Sequence, residues 1–139
     1  MRNLQSGLEP THPPFAGVSS PVRVDGENQR MTDAVVRALL LAQDLDWGPT
    51  GRVEVRRITM APNAAAGRHR HNGPVFGTIE RGSVLFQLEG AAPVILGAGD
   101  PFTEPADTVV EHFDATDEGA TFFAVFVLHP GEQGELTAL

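Results

Sequence analysis

The chain has 139 residues, a net charge of −8 with histidines neutral, and no cysteine. That length suits one domain with one core, and the missing cysteines exclude a disulfide framework, thiolate metal sites and cysteine nucleophiles. All ten basic residues are arginines, the last being Arg81, so residues 82–139 carry acid without lysine or arginine and are a poor surface for nucleic acid.

No apolar run is long enough to span a membrane. The N-terminus lacks the apolar centre of a secretory leader, which predicts a cytoplasmic protein. Residues 1–30 scatter Pro and Gly with little periodicity ("EPTHPPFAGVSSPVRVDGENQ") and predict an extended N-terminal arm. Residues 31–139 are expected to form the domain proper. At its start, "MTDAVVRALLLAQDLDW" offers Thr32 or Asp33 as cap for a short helix with Val36, Leu39 and Leu40 on its apolar face. A strand through Val35 to Leu41 is the alternative.

From Gly51 onward short apolar stretches alternate with turn residues. "RVEVRRITM" is followed by the loop "NAAAG", then by "RHRH", "VFGTIE", a turn at Arg81-Gly82, and "SVLFQLE". "VIL", the turn "GAGD", "TVVEHF" and "TFFAVFVLH" complete the series. At least six strands at close spacing predict an all-β sandwich or barrel. "GAGD" is flanked by strands, so it is a β-turn and not a phosphate loop.

His69 and His71 stand one residue apart in "RHRH". On a strand, residues i and i+2 share a face, so both imidazoles point into one space while Arg68 and Arg70 point away. A strand presents a pair of metal ligands in this way.

The stretch from Asn63 to Asp114 resembles the cupin superfamily, small jelly-roll barrels also described as double-stranded β-helices. The family's first motif, a Gly, His-x-His, Glu and Gly, falls on Asn63, His69, His71, Val75 and Gly82. Its second motif, Gly, Pro, Gly, His and Asn, falls on Gly99, Pro105, Asp107, Val110 and Asp114. The resemblance implies a jelly-roll fold, a small organic substrate in the barrel, a divalent transition metal (Fe, Zn, Ni, Cu or Mn) and a homodimer. Two usual ligand positions are changed: Val75 stands for the Glu and Val110 for the last His. His112 has the strand parity of Val110, so it is expected to face inward and complete a three-histidine site with His69 and His71, as three histidines do in thiol dioxygenases.

Phe76 and Phe102 are candidate pocket walls. Gln87, between Phe86 and Leu88, and Glu104, ahead of Pro105, are candidate polar groups toward a substrate. The sequence leaves open which face of the Val75–Glu80 strand lines the cavity. It also leaves open three activities: a metal-dependent dioxygenase or isomerase through His69, His71 and His112; a metal-free cyclase or isomerase using histidine as acid–base group; or a non-catalytic binding module.

Overall fold

The computed structural model describes residues 35–139, and the N-terminal arm expected over residues 1–30 lies outside them. The described residues form seven strands and no helix: β1 (Arg52–Met60), β2 (His69–His71), β3 (Val75–Leu88), β4 (Val94–Gly97), β5 (Pro101–Glu104), β6 (Val110–Leu128) and β7 (Leu136–Ala138). None of the described residues forms a helix long and apolar enough to cross a membrane.

All pairings are antiparallel, and two long strands organise them. β3 and β6 pair along most of their length, from Val75↔Phe126 to Leu88↔Val110. The first half of β3 also pairs with β5, and its second half with β4. The second half of β6 pairs with β1, while Val110 at its start meets β2, whose other edge takes β7. Each long strand therefore serves two sheets, which fold onto each other as a jelly roll. The switch from one sheet to the other falls at Gly82 and Gly119, both left-handed with φ of 73° and 68°. A Cβ on Gly82 would strike the Gly119 carbonyl, so the crossing needs glycine there.

Two turns show how the chain satisfies the family's glycine positions without glycine. Asn63 and Asp107 both adopt left-handed conformations, with φ of 60° and 56°. Asn and Asp are the side chains that tolerate this region best.

The core lies between the two sheets. Phe113, from the first half of β6, packs against Phe102 of β5 at 5.0 Å, Phe122 at 4.8 Å and Phe86 at 5.9 Å between ring centroids. It thus joins both sheets through three tilted or edge-on ring contacts, the geometry that aromatic quadrupoles favour.

The short helix expected after residue 31 does not form among the described residues, nor does the alternative strand; residues 36–50 have no regular structure. The proposed helical face stays largely uncovered, with Val36 49% and Leu39 47% exposed. A short helix without a buried face has little to hold it. Instead, Leu40 and Leu41 lie along a groove on the outer sheet face beside Phe76 and Phe123. Trp47 stacks on His129 at 3.9 Å, and the His129 Nδ1–H donates to the Pro49 carbonyl.

Truncating the ring that bridges the sheets is expected to be severe. Phe113→Ala should cost about 3–5 kcal/mol in chemical unfolding, from lost burial and the cavity left behind. A loss below about 1 kcal/mol would show that the two sheets are not coupled through this ring.

Candidate metal centre

The site is built on β2 and β5. His69 and His71 are 2% and 8% exposed, and their rings approach edge-on at 4.9 Å between centroids. Each ring is fixed from behind. The Nδ1–H of His69 donates to the Gly67 carbonyl at 2.7 Å, and the Nδ1–H of His71 donates to the Glu135 carbonyl at 3.1 Å. A carbonyl can only accept, so each Nδ1 carries the hydrogen and each Nε2 is left with its lone pair. Backbone partners of this kind set tautomer and orientation in metal-binding histidines.

The third group is Glu104, the last residue of β5, only 3% exposed. It pairs directly with Val75 in the β3–β5 ladder. Residues opposite each other in an antiparallel pair share a face with Cβ atoms about 5 Å apart. The carboxylate absent at Val75 is thus supplied from the neighbouring strand. One ligand atom each from His69, His71 and Glu104 lies within 4.8 Å of the others.

His71 Nε2 and Glu104 Oε2 are 2.9 Å apart. With the Nδ1–H of His71 committed to Glu135, both facing atoms are acceptors unless one proton lies between them. The donor set therefore fits either a shared proton or a divalent ion. Two imidazoles and one carboxylate, buried and converging, form a set that transition ions favour.

The remaining expected site residues go elsewhere, except for Phe102, which with Glu104 lines the cavity in front of the histidines. His112 does not join them. Its Nδ1 contacts Asp114 Oδ2 at 2.7 Å on the outer face, and its side chain is 46% exposed. The reason is a β-bulge. Gln87 pairs with His112, but Leu88 pairs with Val110, which leaves Glu111 as an extra residue in β6. The bulge resets parity, so that Val110 and Phe113 both point inward and His112 points out. Gln87, opposite His112, also faces out and donates from Nε2 to the Ala91 carbonyl at 2.9 Å. Phe76 lies on the outer groove with Leu40 and Leu41. The inward face of that strand is the one bearing Val75 and Ile79, at 2% and 1% exposure.

One supporting layer has no signal in the sequence. The carbonyl that holds His71 belongs to a C-terminal segment, and that segment is clamped from two sides. The Asn72 amide donates to the Gln133 carbonyl and accepts from Glu135 N–H, both at 2.9 Å. The Glu54 carboxylate accepts the Gly134 N–H and bonds Arg56. The Gly134 bond, then the Arg56 guanidinium, hold the Glu54 carboxyl below the usual carboxylate range.

A carboxyl held low in the folded state contributes stability above its unfolded value, and this is lost as pH falls through the folded value. Glu54→Gln is therefore expected to lower the melting temperature at neutral pH. Variant and parent should converge as the pH drops below the usual carboxylate range. A gap independent of pH would mean that the Glu54 charge does not hold the segment.

A model of the cupin domain matches residues 56–127. No curated protein matches. Among solved structures, the 11S globulin from Wrightia tinctoria, described with an auxin binding site, superposes with a TM-score of 0.55 at 22% identity, covering 63% of this chain and 22% of that one. Oxalate decarboxylase from Bacillus subtilis, a protein with Mn(II) centres, gives 0.53 at 23% identity, covering 63% and 24%. A cupin-like protein from Thermotoga maritima gives 0.54 at 24% identity, covering 62% and 65%. The alignments thus span less than two thirds of each of these proteins, and at such identities the likeness concerns the fold. With a family model covering more than half its length, the chain belongs to the cupin family.

Proposed function

We propose that the protein is a metal-dependent enzyme acting on a small organic molecule, with a divalent transition ion held by His69, His71 and Glu104. The observation that carries this reading is the buried convergence of two imidazoles and a carboxylate, one ligand atom of each within 4.8 Å of the others. A two-histidine, one-carboxylate set with open positions is the arrangement of non-haem iron oxygenases, and zinc and manganese also accept such ligands. An oxygenase is accordingly the first reading of the reaction, and an isomerase or cyclase the second. The Mn(II) centres of the oxalate decarboxylase support metal chemistry in a related barrel.

When bound, the ion would supply Lewis acidity and, if redox-active, chemistry with oxygen. The chain's own residues do the rest. The Gly67 and Glu135 carbonyls keep both Nε2 atoms free for the ion. Phe102, Phe113 and Phe122 line the cavity and exclude water from it.

A metal-free reading has its own support in the 2.9 Å contact between His71 Nε2 and Glu104 Oε2. Such a pair could pass a proton to and from a substrate as an isomerase or cyclase does.

Metal uptake separates the two. Protein prepared without metal and then titrated with Mn²⁺, Fe²⁺, Ni²⁺, Cu²⁺ or Zn²⁺ should take up one ion per chain. Uptake should raise the melting temperature, by about 2.7 kcal/mol of stability at a hundred times the Kd. His69→Ala and Glu104→Ala should each weaken uptake at least about tenfold, and His112→Ala should leave it unchanged. Failure to bind any of these ions would support the acid–base reading instead.

A further inference from the structure

The cavity in front of the histidines has a volume of about 180 Å³, and Ala66 and Leu136 are the exposed residues on its lining. Among the described residues, its polar side chains are His69, His71 and Glu104, and every other side chain lining it is apolar. Ile58, Met60, Phe102, Phe113, Phe122 and Phe126 form most of that wall. No arginine, amide or hydroxyl side chain of the described residues lines it.

We propose that the natural ligand is a monoanion with one acidic group and an otherwise apolar, preferably aromatic, body of about the size of benzoate. This rests on the metal reading of His69, His71 and Glu104. Charge sets the first limit. Glu104 offsets one charge of a divalent ion and the imidazoles offset none, so one positive charge remains. A single anionic group cancels it, whereas a second would be an unpaired charge against hydrocarbon.

Placement sets the second limit. All ligating atoms sit together, within 4.8 Å, so among the described residues a polar group at the far end of a ligand would meet only apolar side chains. A buried polar group without a partner loses affinity, and this disfavours sugars, nucleotides and diacids. Volume and shape set the third. An apolar cavity of roughly 150 Å³ accepts benzene, so about 180 Å³ admits a ring with a small head group. The rings of Phe102, Phe113 and Phe122 lie tilted or edge-on to one another at 4.8–5.8 Å, and a planar ligand ring can join that array.

The test uses the full chain loaded with Zn²⁺, which is redox-silent, with metal content measured first. Benzoate, acetate and terephthalate are then titrated by calorimetry. Acetate keeps the carboxylate and lacks the ring; terephthalate keeps the ring and adds a second charge at the far end. Benzoate should bind one per ion, at least about tenfold tighter than acetate, and terephthalate at least about tenfold weaker than benzoate. Met60→Arg, a change at the half-buried end of β1, should narrow the gap between terephthalate and benzoate by offering the second charge a partner. With zinc bound, equal affinity for benzoate and acetate, or terephthalate binding as tightly as benzoate, would overturn the ligand class and leave the metal reading standing. Failure to take up zinc would overturn both.

Discussion

Val75 and Glu104 face each other across the β3–β5 ladder, and the chemistry of the cavity depends on that pair. The position at which the family usually carries its carboxylate holds a valine here. Because opposite residues of an antiparallel pair share a face, a carboxylate one strand away still reaches the space in front of His69 and His71. The same rule operates on the other side of the site. Val110, at the family's last histidine position, pairs with His69 and is fully buried. One substitution is thus compensated from the neighbouring strand and the other puts an apolar side chain into the core. The result is a charged cluster at one end of a cavity otherwise lined by phenylalanine and aliphatic side chains.

Much of this was legible in the sequence, because the signals were local. The His-x-His pair lies within one strand, where a period of two decides which way side chains point. The turns at Asn63 and Asp107 use residues that tolerate positive φ, so the spacing of the family's glycines survives without glycine. Phe102 and Glu104, expected as a pocket wall and a polar group, both line the cavity from β5, a strand not itself expected from the sequence.

The misplaced residues fail for one physical reason, which is that register between strands is not local. His112 has the correct parity relative to Val110 only if β6 is regular, and the extra residue Glu111 breaks that regularity. A bulge is set by how β6 must bend to pair with both β2 and β3, and neither partner is adjacent in sequence. Phe76 and Gln87 depended on which face of β3 turns inward. Their neighbours Val75, Phe86 and Leu88 took the interior, so both point out. The support from Glu54 and Asn72 was equally hidden, since each holds a segment some 60 to 80 residues away in the chain. That support ties the C-terminal segment, and with it the Glu135 carbonyl, to the orientation of a candidate ligand.

The metal chemistry of the cavity depends on the relocated carboxylate, and moving it back tests this most directly. Glu104→Ala should abolish tight metal uptake, and adding Val75→Glu in the same chain should restore it, since the new carboxylate would project from the same face about 5 Å away. The measurement is the calorimetric Kd for a divalent ion in the parent, the single variant and the double variant, with folding checked by circular dichroism. Recovery of most of the affinity lost in Glu104→Ala is the predicted result. A Glu104→Ala protein that binds as tightly as the parent, or a folded double variant that binds no better than Glu104→Ala, would contradict it.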